Sequence, residues 1–201
     1  MKKKLLSVAL ATIIAVMAIS GASLAWLQDT TDPVTNTFTE GLVEIDLFEH
    51  EYKNGRLTTE EIRNNGNTYK MVPGDVLPKD PTVVVKADSE ACWLFVKIEK
   101  SENFDSFMTF DVADGWIELD GFDGVYYREV SASDAKAGIS YPVLADNEVT
   151  VKGEEVTLEM MKALEAGTAQ RPTLSFTAYA VQKANVTTAA AAWAIINPAN
   201  P

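Results

Sequence analysis

The sequence predicts an all-β fold, an antiparallel β-sandwich behind a cleavable leader, and three observations carry that reading. Short alternating segments recur, beginning at Gly41, where Val43, Ile45 and Leu47 share one face and Glu44, Asp46 and Phe48 the other. Proline, glycine and aspartate turns punctuate them, at Pro73-Gly74-Asp75, Asp114-Gly115, Asp120-Gly121 and Asp123-Gly124. One internal stretch, Thr157 to Gly167, changes to a helical period. Many short strands with one inserted amphipathic helix are the pattern of two packed antiparallel sheets.

Residues 1–25 read as a signal-peptide helix. Lys2, Lys3 and Lys4 form a positive start, Leu5 to Ser20 an apolar run, and Ser23 and Ala25 the small side chains, two apart, that a signal peptidase reads. Sixteen helical residues span roughly 24 Å, short of the roughly 30 Å hydrocarbon core, so a cut after Ala25 is expected rather than a permanent anchor. The membrane is then met only through the leader, and Trp26 becomes the mature N-terminus. Residues 26–40 follow as a Thr/Asp-rich segment with isolated apolar residues at Trp26, Leu27, Val34 and Phe38. Residues 41–201 make the β-sandwich domain.

Within that domain, His50 to Thr68 reads as a polar excursion with turns at Asn54-Gly55 and Asn64-Asn65-Gly66 and a helical turn near Thr59 to Arg63. Strands are expected at Thr82 to Lys86, delayed or confined to an edge by Pro78 and Pro81, and at Cys92 to Glu99, whose start is apolar on both faces as between two layers. Trp116 to Leu119 and Val125 to Val130 flank the Asp-Gly turns as a hairpin, and Glu148 to Lys152 is a further short strand. In the helix, Thr157 is the N-cap, Leu158, Met161 and Leu164 the apolar stripe, and Gly167 the stop. Thr173 to Gln182 returns to strand, with Leu174, Phe176 and Ala178 inward. The tail from Thr187 to Ile196 is expected to be a short helix capping one end of the sheet.

Charge and composition exclude several functions. Seventeen basic residues face 29 acidic ones; cleavage removes three lysines and leaves 14 against 29, a formal charge of −15 on 176 residues. Such a surface repels nucleic acid and anionic lipid, whereas 47% apolar content supports a packed interior. Cys92 is the only cysteine, so no internal disulfide forms, which is ordinary for a protein exported by a bacterium without a strong disulfide-forming system. Cys92 is expected as a small buried hydrophobe.

Catalytic signatures are missing from the residue pattern. His50 is the only histidine, and His50-Glu51 continues as Tyr52, Lys53, Asn54, which is not a His-Glu-x-x-His zinc site. His50 is expected at the surface. Asp111, Asp114, Glu118, Asp120 and Asp123 read as turn residues, with calcium as the alternative and no other cofactor implied. Trp116, Tyr126 and Tyr127 would be the anchors of a monomeric surface binding module if they shared an exposed face.

The junction Leu24-Ala25-Trp26-Leu27-Gln28-Asp29, with Asn36-Thr37-Phe38 and Gly41-Leu42-Val43, resembles the SipW-dependent signal-peptide proteins, the TasA and camelysin family of bacterial matrix and surface proteins. Pro73-Gly74-Asp75, Lys79-Asp80 and Trp93 to Lys97 resemble that family's turn and core strand. Phe176 to Gln182 with Ala192-Trp193 resembles a subgroup from clostridial-type bacteria. The resemblance implies a jelly-roll-like sandwich, removal of the leader by a dedicated signal peptidase, and secretion to the extracellular matrix or cell surface. It also implies fibres in which the mature N-terminal segment of one subunit, here with anchors Trp26, Leu27, Val34 and Phe38, completes the sheet of the next by donor-strand exchange. The expectation is therefore a non-enzymatic fibre subunit whose partners are copies of itself. The alternatives are a camelysin-type secreted metallopeptidase and the monomeric binding module.

Overall fold

Asn54 and Gly55 both adopt positive φ, 54° and 83°, and this two-residue turn joins β1 (Ile45–Lys53) to β2 (Arg56–Ile62) as an antiparallel hairpin. The structure is a computed structural model that describes residues 41–63 and 66–197. The signal peptide and the segment 26–40 lie outside the described residues. The hairpin corrects the expected polar excursion with a helical turn near Thr59 to Arg63. Asn-Gly is the preferred pair for a turn whose twist matches two strands, and β2 is polar because it is an edge strand, with Arg56, Glu60 and Glu61 in solvent.

Downstream, Pro73-Gly74 makes the expected turn, with Gly74 at φ 90° and the Asp75 N–H donating to the Val72 carbonyl at 3.0 Å. It leads into β3 (Val76–Pro78), a short edge strand in which Pro78 is the last residue, and then β4 (Thr82–Val85). β5 (Cys92–Lys100) is followed by α1 (Phe104–Phe107), β6 (Met108–Thr109), β7 (Ile117–Glu118) and β8 (Val125–Val130). β7 and β8 pair antiparallel across the Asp-Gly turns as expected. Next come α2 (Ala132–Ala137), β9 (Ile139–Pro142), β10 (Glu148–Val151), α3 (Leu158–Glu165), β11 (Leu174–Gln182) and α4 (Ala189–Ile196).

Among the described residues the strands form three antiparallel sheets, ordered β2-β1-β4-β9, β3-β10-β6 and β11-β5-β8-β7. The first and third face each other through the main core. Ile45 and Leu47 of β1 with Val83 and Val85 of β4 meet Cys92, Leu94, Val96 and Ile98 of β5 and Phe176, Ala178 and Ala180 of β11. Each fully buried Val or Leu in this row contributes roughly 1.5–3 kcal/mol. The inward placement of Leu174, Phe176 and Ala178 agrees with the sequence pattern.

β5 is apolar on both faces because both are covered. Its odd-numbered residues Trp93 and Phe95 pack under α4, where Ala189 and Ala192 let the helix approach closely and Trp193 stacks 5.3 Å from Phe95. This differs from the expected cap on one end of the sheet: with apolar residues at Trp93, Phe95, Val125 and Tyr179 on the outer face, the helix lies across it. Thr188 starts α4 by accepting the Ala191 N–H at 3.2 Å.

The inserted helix forms as α3, with Thr157 accepting the Met160 N–H and Gly167 at φ 71° beyond its end. Its stripe is shorter than expected. Leu164 is buried and Met160 and Met161 pack on Phe107 and Val156, while Leu158 is 63% exposed. Only the later turns reach the core. α1 and α2 are further helices within the strand succession, so one inserted helix is corrected to three. α2 carries its own local signals, a Ser131 side chain accepting the Asp134 N–H and Gly138 at φ 76°.

Candidate functional site

β11 is a nine-residue strand at the edge of its sheet. It pairs with β5 along its whole length, Leu174 opposite Lys100 through Gln182 opposite Cys92, and no strand among the described residues pairs with its other side. Nine residues at about 3.4 Å each give roughly 30 Å of free backbone donors and acceptors. Ser175 and Thr177 face solvent, while Leu174 and Phe176 turn inward. At the far end, a Cβ on Gly41 would stand 2.7 Å from Gln182 Nε2, and the Leu42 carbonyl accepts the Glu90 N–H at 2.9 Å. The chain thus enters β1 beside the C-terminal end of this free edge.

At the Leu174 end lies a cavity of about 440 Å³, walled by Leu174, Leu77, Phe104, Tyr69 and Lys79, with Arg171 on its rim. Its floor is apolar because three elements converge there: α1 brings Phe104, β3 brings Leu77 and β10 brings Val149. Met71 and Met108 add flexible thioether side chains to the lining.

A buried polar network closes the side toward β1. Lys79 Nζ stands 2.7 Å from Glu49 Oε1 and lies 5.6 Å and 5.3 Å from the centroids of the Tyr69 and Phe176 rings. Asn67 accepts the Tyr52 N–H at 2.7 Å and donates to the His50 carbonyl at 2.9 Å and to Glu49 at 3.3 Å. Buried Asp80 accepts the His50 N–H at 3.0 Å and lies 2.5 Å from His50 Nδ1. His50 is therefore not a free surface residue as expected; its side chain is 32% exposed and tied to Asp80. The buried Tyr69 hydroxyl makes no hydrogen bond of ordinary geometry among the described residues. Burial, with Glu49's charge added, pushes this phenol well above its ordinary range.

The predicted cleavage residues Ser23, Ala25 and Trp26 and the predicted strand anchors Trp26, Leu27, Val34 and Phe38 lie outside the described residues. Trp116, Tyr126 and Tyr127 do not form one exposed face. Trp116 is buried and donates its indole N–H to the Pro142 carbonyl at 2.8 Å; Tyr126 packs on the inner core and Tyr127 on the outer cluster. Cys92 is fully buried as expected, and that burial pushes its thiol up to about 11.

Gly115, Gly121 and Gly124 all take positive φ, so their preceding aspartates serve tight turns. Among the described residues no three His, Cys, Asp or Glu side chains are grouped to hold a metal ion, and no helix is long and apolar enough to cross a membrane.

Sequence reasoning missed the polar network and the cavity. Lys79-Asp80 was visible as a pair, but its partners Glu49 and His50 lie thirty residues away. Comparisons with family models, curated proteins and solved structures each return no match to this chain.

Proposed function

We propose that the chain is a secreted, non-enzymatic structural protein of a bacterial extracellular matrix or cell surface, a fibre subunit assembled by donor-strand exchange. The observation that carries the reading is the free edge of β11 with an apolar cavity at its Leu174 end. A strand added to an exposed edge satisfies backbone hydrogen bonds and puts alternate side chains into pockets. In the segment 26–40, Trp26, Val34 and Phe38 have the same parity and would share one face of a strand added to that edge. Pro33 lacks an N–H and is tolerated where the added strand becomes the new edge.

In this reading the packed sheets are a jelly-roll-like sandwich, and signal peptidase cuts after Ala25 so that 26–40 of one copy pairs with β11 of the next. The cut both releases the chain and frees the donor. The leader's resemblance to SipW-dependent matrix proteins supports the same conclusion.

Electron microscopy of the mature chain 26–201 tests it, with filaments expected there and none from 41–201. Monomers that persist at high concentration would overturn fibre assembly. Proteolysis that a chelator abolishes would establish the metallopeptidase alternative instead.

A further inference from the structure

β11 differs from every other free strand edge among the described residues. β2 is also an edge strand, but it carries Arg56, Glu60 and Glu61, and charge along an edge discourages pairing. β3, β6, β7 and β9 have only two to four residues each. β11 runs for nine residues without a charged side chain. The core beneath it is also incompletely covered. Val83 and Val85 of β4 and Leu94 and Val96 of β5 are fully buried, whereas the inner row of β11, from Leu174 to Ala180, and Ile45 and Leu47 of β1 are only partly buried. A strand added here gains apolar contact as well as backbone hydrogen bonds.

Charge gives this edge a direction. Near its Leu174 end, exposed Arg171 stands on the cavity rim with no ion-pair partner among the described residues. At its Gln182 end Lys183 is already paired with Glu129, and a Cβ on Gly41 would stand 3.3 Å from Glu90 Cγ. The first end attracts an acidic stretch and the second does not. The segment 26–40 has a matching asymmetry, with Asp29 and Asp32 in its first half, no basic residue, and Glu40 at the junction with its own domain.

Side-chain parity narrows the register. Directly opposed residues of paired strands point to the same face, so Val34 and Phe38 reach the open core only opposite even-numbered residues of β11. Residues 32–40 laid in the same direction as 174–182 satisfy this along the whole strand. Val34 would then be level with Phe176, and Phe38 with Ala180, whose small side chain leaves room for the ring. Thr35, Thr37 and Thr39 would face outward beside Thr177, Tyr179 and Val181. Asp29 and Asp32 would come to the Arg171 end, and Trp26 and Leu27 to the apolar cavity beyond it. The opposite parity would turn Pro33, Thr35, Thr37 and Thr39 toward the core instead.

We infer that residues 32–40 of one copy pair parallel to β11 of the next, and that Arg171 selects this polarity by attracting Asp29 and Asp32. The inference rests on the donor-strand reading above and adds to it the direction of the strand and the residue that sets it. A neutral or basic segment with the same apolar spacing would lack that attraction, so Arg171 also favours copies of this chain over other exported strands.

Filaments grown from mixtures of mature chains, each with one added cysteine, test the inference; Cys92 is fully buried and stays out of the reaction. Oxidation of filaments from Thr39→Cys mixed with Val181→Cys should give disulfide-linked dimers. Thr39→Cys mixed with Ser175→Cys should give none beyond those each variant forms alone. An antiparallel donor sets residue 39 level with Ser175, so the reverse result would overturn the inference, as would filaments in which neither mixture crosslinks. Arg171→Glu should raise the concentration needed for filaments about fivefold at low salt, the scale of a rim charge turned from attractive to repulsive. Asp29→Lys with Asp32→Lys should restore assembly in that background. Assembly of Arg171→Glu at the parent's concentration would overturn the role of Arg171. A parent chain that forms no filaments would overturn the donor-strand reading itself, and this inference with it.

Discussion

Lys79 Nζ stands 2.7 Å from Glu49 Oε1, with only 10% and 13% of the two side chains exposed. The pair ties the segment just before β4 to the middle of β1. Replacing Lys79 with Met leaves the Glu49 carboxylate buried and unmatched, and a loss of about 3–5 kcal/mol in urea unfolding is expected. Converting both residues, Lys79→Met with Glu49→Leu, should recover most of it, because the desolvation cost of both ions disappears together. A single-variant loss below about 1 kcal/mol would show instead that water screens the pair.

Gly124→Ala should be among the most damaging small substitutions in the turns. Gly124 has φ 70°, and a Cβ there would stand 2.6 Å from the Ile98 carbonyl oxygen, which belongs to the central strand. Strain and clash together are expected to cost about 2–3 kcal/mol or more. Gly167 has nearly the same φ, 71°, with nothing within 4 Å, so Gly167→Ala should cost only about 1–2 kcal/mol. Equal losses in thermal unfolding would mean that the close approach at Gly124 relaxes freely.

Cys92 sets an alkaline limit on stability. Its thiol rises from an ordinary 9.0 to about 11 in the folded chain because burial disfavours the thiolate. Between those values the unfolded chain gives up a proton that the folded chain keeps, so stability falls as pH rises, by roughly 2–3 kcal/mol across the window. Cys92→Ala should flatten the slope of unfolding free energy between pH 9 and 11. It should leave the part that comes from Tyr69, which burial also raises. An unchanged slope would show that Cys92 does not carry the effect.

The proposed donor role of residues 26–40 can be tested without deleting them. Val34→Asp or Phe38→Asp in the mature chain should raise the concentration needed for filaments at least tenfold and leave the melting temperature of the monomer within about 2 °C. Charged residues on the pairing face resist burial in an apolar socket. Normal filament growth by both variants would remove these residues from the assembly contact.

Local chemistry made much of this fold legible. Pro73-Gly74 announced its turn, the two apolar faces of Cys92 to Val96 announced a middle layer, and Thr157 with Gly167 bracketed α3. The β1–β2 hairpin was misread because β2 is an edge strand with charged residues outward, so its pattern is polar rather than alternating; Asn54-Gly55 was the correct clue. The buried network of Glu49, His50, Lys79 and Asp80 could not be read, since it exists only once β1 and the Pro78–Pro81 segment are side by side. The contacts of Trp193 with Phe122 and Tyr179 have the same origin: the three rings are strangers in sequence and neighbours only after α4 has settled on the sheet.

The two-sided cover of β5 has a consequence for the order in which the molecule can be completed. β5 is among the earlier strands to be synthesised, yet one flank waits for β11 and its outer face waits for α4, the last of the described elements to emerge. Until then the most apolar strand of the chain is an open template, with charged Lys97, Glu99 and Lys100 guarding only one end. For a chain exported N-terminus first, as proposed above, this delay is useful. Until the C-terminal third has emerged, β5 lacks both β11 and α4, so the complete sandwich closes only after the end of the chain is free.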